Sequence, residues 1–227
     1  MIKMVVSSFF NTLIDKEEAI SQDTMLEIDR IKNKNIIFTV NTNRSYQDVL
    51  YYNKDFPFID YIISLNGSYV YDVINKKCIY KQKISKFDVK KIYNSFKRSK
   101  IYYYTCDKVY TKYSDILDKD VYKMEIEDID SINIDNSNCI YSIFEKDNKN
   151  YLEIISNKCD SYKALKEINV KNKITDKEVL TILGNEADIS ILKNIKNSYI
   201  VKIASNNLKK EIKSNSYLEI DEILKKI

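Results

Sequence analysis

The feature that most constrains the fold is an alternation in the first third of the chain. Three short runs rich in β-branched residues, IKMVVS (2–7), IIFTV (36–40) and DYIIS (60–64), are separated by stretches with helical spacing. Continuous apolar runs of this length read as buried parallel strands. Between the first two, Ser21 precedes Met25, Ile28 and Ile31, which predicts a capped helix over 22–33. Between the second and third, Asn41-Thr42-Asn43-Arg44 predicts a turn. Ser45 then caps a helix with Tyr46, Val49 and Leu50 on one face. Pro57, the only proline, falls in the loop before the third run. Strand–helix alternation three strands deep implies a parallel sheet with right-handed crossovers.

The pattern then changes. Residues 68–72 and 77–81 read as a hairpin, and Ser85 with Asp88 opens a helix at 86–98 lined by Val89, Ile92, Tyr93 and Phe96. Short strands follow near 101–105, 108–111, 121–126 and 138–145, with polar–apolar alternation in Lys123-Met124-Glu125-Ile126-Glu127. Tyr102, Tyr103, Tyr104, Tyr110 and Tyr113 read mainly as strand formers. A strand at 149–155 and a helix at 161–168 come next. A buried strand at 178–183, a helix at 187–195, a strand at 198–203 and a final helix near 220–226 complete the chain. The β–α alternation therefore resumes after an α+β stretch. The expected organisation is a discontinuous α/β core, residues 1–80 and 152–227, with an α+β unit inserted at 81–151.

Composition narrows the chemistry. The 37 basic and 33 acidic side chains are interleaved and leave a net charge of +4, so no basic face for nucleic acid is expected. No apolar run approaches the ~20 residues of a membrane span. Cys78, Cys106, Cys139 and Cys159 contain no C-x-x-C pair, and no secretory leader is recognisable. Reduced thiols in a cytoplasmic protein are expected. There is no histidine, which excludes Ser-His and Cys-His nucleophile pairs and every His-ligated metal site.

The two glycines sharpen the picture. Gly67 in LNGSYVYD follows the third strand, and Gly184 in ILGNEADISIL ends the strand at 178–183. Carboxyl ends of parallel strands are where open α/β sheets bind ligands. Asn11 and Asn43 sit in two further strand-end turns, and Asn tolerates a left-handed backbone better than other non-glycine residues.

The order VVSSFFNTL, VNTNRS, ISLNGSYVYD, YLEIISNKCDSYKAL, ILGNEADISIL resembles the haloacid dehalogenase superfamily, in its Cof-type branch (subfamily IIB). VYKMEI and VKIASNNLKKEIK extend the likeness over nearly the whole chain. The resemblance implies a Rossmann-like parallel-sheet core with an inserted α+β cap of the C2 type. It also implies a magnesium-dependent phosphohydrolase, whose first strand ends in D-x-D-G-T with a nucleophilic Asp and an acid–base Asp. Here those positions are Ser8 and Phe10, with Asn11 for the glycine, while Thr12 is retained. The phosphate-binding T-G-R-S survives as Thr42, Asn43, Arg44 and Ser45. The catalytic Lys position, counted from Ala164-Leu165, is Ser161; Lys158 and Lys163 need a register shift. The magnesium motif G-D-x-x-N-D reads Gly184-Asn185-Glu186-Ala187-Asp188, one residue short.

Magnesium favours anionic oxygen ligands in octahedral geometry. Ser8, the Phe10 carbonyl, Asn185 and Asp188 predict weak binding or none, with Glu186 as a further carboxylate, and magnesium is expected only where activity is retained. Losing nucleophile, acid–base, Lys and most metal ligands together should remove nearly all of the roughly 8–23 kcal/mol by which enzymes lower barriers. The expected protein has lost phosphohydrolase activity and binds a phosphorylated metabolite, inorganic phosphate or a partner. Thr42, Asn43, Arg44, Asn66 and Gly67 are its ligand-binding residues, aided by the helix amino terminus at Ser45. The alternatives are a residual or altered hydrolase of small phosphorylated metabolites using Glu186, Asp188 or Lys163, and a plain α/β protein. The sequence leaves the oligomeric state open.

Overall fold

The computed structural model describes residues 1–15, 19–54, 57–129, 138–185, 188–204, 206–211 and 217–227. Two compact units emerge: Met1–Tyr80 with Asp160–Ile227, and Lys81–Cys159.

The first unit is built on a seven-stranded sheet. Its strands are β1 (Met4–Ser8), β2 (Ile37–Asn41), β3 (Tyr61–Ser64), β4 (Tyr69–Asp72), β5 (Lys77–Lys81), β11 (Val179–Leu183) and β12 (Ser198–Ile200), in the order β12-β11-β1-β2-β3-β4-β5. β1 pairs in parallel with both β2 and β11, β2 with β3, and β11 with β12; the hairpin strand β4 runs antiparallel to β3. The chain thus leaves central β1 toward β2 and β3 and returns on its other side as β11. That reversal puts a crevice at the carboxyl ends of β1, β2 and β11.

The helices follow their caps. α1 (Gln22–Lys32) starts at Ser21, whose hydroxyl accepts from the Thr24 N–H, and α2 (Tyr46–Asn53) starts in a Ser45/Asp48 capping box. α4 (Ser161–Asn172) starts where the Asp160 carboxylate accepts from the Lys163 N–H, and runs four residues past the expected end to a left-handed Lys173. α5 (Ile189–Asn194), α6 (Asn206–Glu211) and α7 (Ile220–Leu224) complete the unit. β12 is shorter than the expected strand at 198–203. α6 lies in a stretch too polar to announce a helix. Val5, Val6, Phe38, Val40, Ile62, Ile63, Leu165, Ile168 and Ile182 form the buried centre.

The second unit holds α3 (Lys86–Phe96), β6 (Ile101–Tyr104), β7 (Val109–Tyr110), β8 (Lys123–Glu127), β9 (Cys139–Lys146) and β10 (Lys149–Ser156), with sheet order β7-β6-β8-β10-β9. Val89 and Ile92 of α3 pack with Ile101, Tyr103, Met124, Ile126, Leu152 and Ile154, which alternate along three adjacent strands. The expected boundary at 151/152 falls inside β10. That strand pairs along its length with β8 and β9, so the second unit runs to Cys159. β8 alternates polar and apolar residues, and all five of them are buried. Its charges are paired: Lys123 Nζ lies 2.6 Å from Glu125 Oε1 and 3.2 Å from Glu153 Oε2, and the Tyr104 hydroxyl donates to Glu125 at 2.6 Å.

Candidate functional site

The site is centred on one carboxylate. Asp188 is 1% exposed and begins α5, but its side chain makes no cap to that helix. It turns inward instead. Its Oδ1 accepts from Asn41 Nδ2 at 2.7 Å. Its Oδ2 accepts from the Ser8 hydroxyl, from the Asn185 N–H at 2.9 Å and from the Gly184 N–H at 3.2 Å. The Ser8 oxygen in turn accepts from the Gly184 N–H at 2.9 Å. Parallel pairing explains the convergence, because Ser8 and Asn41 are register partners at the ends of β1 and β2. Burial pushes the Asp188 pKa up. The hydrogen bonds from Ser8, Asn41, Asn185 and Gly184 pull it down, and burial prevails.

The other first-strand position is apolar. The Phe10 ring packs edge-on to Phe9 and Tyr52, with centroids 4.9 and 5.6 Å away. The Arg44 guanidinium lies over it, 3.8 Å from the centroid. The Phe10 carbonyl accepts from Asn185 Nδ2 at 3.1 Å.

The remaining turns form a rim. The Thr42 hydroxyl accepts from the Arg44 N–H at 3.1 Å. The Asn66 N–H donates to the Thr42 carbonyl at 3.3 Å, and the Leu65 N–H to the Arg44 carbonyl at 3.1 Å. Thr42 is buried, while Asn43 and Arg44 are exposed. Leu65, Asn66 and Gly67 are left-handed in succession, with φ of 51, 56 and 81°. A Cβ at Gly67 would meet the Asp160–Ser161 peptide at 2.5–2.8 Å, so glycine lets the start of α4 approach. Asn11 is left-handed as its composition suggests, but Asn43 and Gly184 are not. Gly184 serves close approach: a Cβ there would strike the Thr12 side chain. Thr12 Oγ1 and Ser161 Oγ are buried without a hydrogen-bond partner.

The structure therefore joins Ser8, Phe10, Asn185 and Asp188 in one network, laces Thr42 to Asn66 and Arg44 to Leu65, and sets Ser161 beside Gly67. Lys158 and Lys163 are both exposed. Glu186 lies outside the described residues. Asn41 is the site residue that sequence reading passes over. Its signal is a polar side chain ending an otherwise apolar strand, and the following turn obscures it.

The residues do not fit the magnesium ion that the motifs imply. A hard cation needs several anionic or free oxygens. Asp188 is the only carboxylate in the described network, and four hydrogen bonds engage it. Ser8 donates its proton to it, and the Phe10 carbonyl already accepts from an amide.

The sequence profile of the haloacid dehalogenase-like hydrolases matches residues 11–147 and 125–216. No curated protein sequence matches the chain. Among solved structures, a Geobacillus kaustophilus protein superposes with a TM-score of 0.82 at 15% identity, covering 100% of this chain and 98% of its own. A haloacid dehalogenase-like hydrolase from Bacteroides thetaiotaomicron gives 0.80 at 15% identity, covering 100% and 99%. A HAD/COF-like hydrolase from Plasmodium vivax gives 0.78 at 19% identity, covering 99% and 95%. The profile spans both described units and the fold agrees, so the chain belongs to the haloacid dehalogenase-like hydrolase family.

Proposed function

We propose that this chain has lost phosphohydrolase chemistry and binds an anion, inorganic phosphate or a small phosphorylated metabolite, without a metal. The observation that carries the reading is the Asp188 network. Where the family's resemblance calls for a carboxylate nucleophile, Ser8 donates to a buried, fully engaged carboxylate. Where it calls for an acid–base group, Phe10 carries a ring under Arg44. Neither a metal-free serine held by a main-chain N–H nor a phenyl ring supplies the missing steps.

Anion binding rests on what is left over. Arg44 forms no ion pair among the described residues, so its guanidinium edge is available beside the Phe10 ring. Thr42 keeps a hydroxyl proton to donate, and the start of α2 adds oriented N–H groups. The buried, unpartnered hydroxyls of Thr12 and Ser161 are further donors. The four cysteines are free thiols, in keeping with a cytoplasmic setting.

The test is thermal unfolding with inorganic phosphate and a chelator. The midpoint should rise saturably with millimolar phosphate, and Arg44→Ala should abolish the rise; a ligand at 100 times its Kd stabilises by about 2.7 kcal/mol. No shift at millimolar phosphate would refute anion binding.

The Ser8–Asp188 hydrogen bond favours a second reading, a residual hydrolase with a serine nucleophile and a carboxylate base. Turnover of an aryl phosphate that scales with protein and disappears in Ser8→Ala would establish it. The first reading predicts no turnover, and none is expected to return in Ser8→Asp/Phe10→Asp, because Ser161 and Asn185 remain.

A further inference from the structure

The second unit carries a groove on the α3 side of its sheet. Tyr93 and Lys97, at the end of α3, form one wall. Thr111 and Lys112, which follow β7, form the other with the short 3-10 turn Tyr113–Ile116. Ile101 and the buried Tyr103 of β6 make the floor. All of these residues belong to the second unit, so the groove is complete within it. Its volume of about 530 Å³ is that of a site for a small organic molecule.

The chemistry of the lining is one-sided. Lys97 and Lys112 are exposed and form no ion pair among the described residues, and no carboxylate among those residues lines the groove. Lys97 is also the C-cap of α3 and offsets the carbonyl end of that helix. Ser99 and Thr111 add hydroxyls. Tyr103 is an independent pointer to a ligand. It is 1% exposed, and its hydroxyl has no hydrogen-bond partner among the described residues, which leaves that donor to whatever occupies the groove. Burial foremost, then the neighbouring Tyr93 and Tyr113 phenols, push its pKa up, so it keeps its proton to donate. The walls are flat as well as polar. The half-buried rings of Tyr93 and Tyr113 stack with centroids 4.2 Å apart and planes 6° from parallel.

We propose that this groove binds a small aromatic phosphoryl compound, its flat ring against the tyrosines and its dianionic head held by Lys97 and Lys112. Two ammonium point charges match the two negative charges of a phosphoryl group. The hydroxyls of Tyr103, Ser99 and Thr111 supply donors for its oxygens. A planar ring suits walls that are themselves stacked rings, and it covers Leu117, which also lines the groove and is 58% exposed. Inorganic phosphate leaves Leu117 and the tyrosine rings uncovered and is not expected to bind here. That requirement for a ring separates the groove from the Arg44 rim of the first unit.

Phenylphosphonate, which has no ester bond to hydrolyse, is the probe. It is titrated into the full chain carrying Arg44→Ala, so that the rim of the first unit is silent. Amide NMR spectra should show saturable shifts at millimolar probe, confined to residues 93–117. Adding Lys112→Ala should weaken binding about tenfold, as should Tyr103→Phe. Tyr103→Phe should leave the thermal midpoint of the free protein where it is, whereas a hydroxyl with a purely structural role would lower it on removal. Benzyl alcohol, the ring without the charge, should give no saturable shift. No saturable shift with phenylphosphonate would overturn the proposal. So would shifts that map outside 93–117, affinity unchanged in both Lys97→Ala and Lys112→Ala, or equal binding of benzyl alcohol.

Discussion

Asp188 in the first unit and Glu125 in the second are both buried carboxylates, and they are neutralised by opposite means. Glu125 and its cross-strand neighbour Glu153 meet a cation, Lys123, which also lies 4.4 Å over the Tyr104 ring. Asp188 meets no cation among the described residues. Its partners are one hydroxyl, one amide and two main-chain N–H groups. The difference teaches what each cluster can lose. Side-chain charges can be removed together. The N–H groups of Gly184 and Asn185 belong to the backbone and stay wherever Asp188 goes, so the first cluster needs its carboxylate as long as the strand end keeps its shape.

Removing one partner should therefore separate the two regions in denaturant unfolding. Lys123→Met leaves two buried carboxylates facing each other and should cost about 3–5 kcal/mol. Adding Glu125→Leu and Glu153→Leu should recover most of that loss, because apolar replacement of a whole buried ion cluster is often neutral. Asp188→Ala should cost about 2–4 kcal/mol through unmet donors, with Asp188→Asn recovering part of it and an apolar residue none. Recovery by Asp188→Leu would break the comparison.

Smaller effects sharpen it. Gly184→Ala drives a methyl into Thr12, and Gly67→Ala sets one against the start of α4; each should cost about 1–3 kcal/mol, with the hydrogen-bonded network intact by crystallography. The pH responses have opposite signs. Lys149 foremost, then Tyr102 and Lys100, hold Glu127 at about 2. Its stabilisation is present above the unfolded carboxylate value of about 4.3 and is lost as pH falls toward the folded one. Asp188 is raised, so its contribution is present below the unfolded value of about 3.9 and is lost as pH rises through the folded one. Glu127→Gln should flatten the acid side of the stability–pH curve. Asp188→Asn should flatten the side above it. Matching signs in the two variants would refute the distinction.

Much of the core was legible because its code is local. Ser21 and Ser45 cap the helices they announce, and the apolar runs before Ser8, Asn41 and Ser64 are the parallel strands. Asp188 could be placed because its motif keeps a terminal Asp. Asn41 could not, because its role depends on register with Ser8 across β1 and β2. The boundary at Cys159 was hidden because YLEIIS reads the same in either sheet, and pairing with β8 and β9 decides. The buried Lys123 was hidden because alternation reports that two faces differ, and does not report that both are covered. The sequence around Gly184 signals only a turn, whereas the constraint is the Thr12 side chain against it.

The central claim is that hydrogen bonds have taken the place of the metal around Asp188. Calorimetric titration of the full chain with magnesium at neutral pH tests it most directly. The account predicts no saturable binding at millimolar magnesium in wild type or in Asp188→Asn. Saturable binding in wild type that Asp188→Asn abolishes would contradict it.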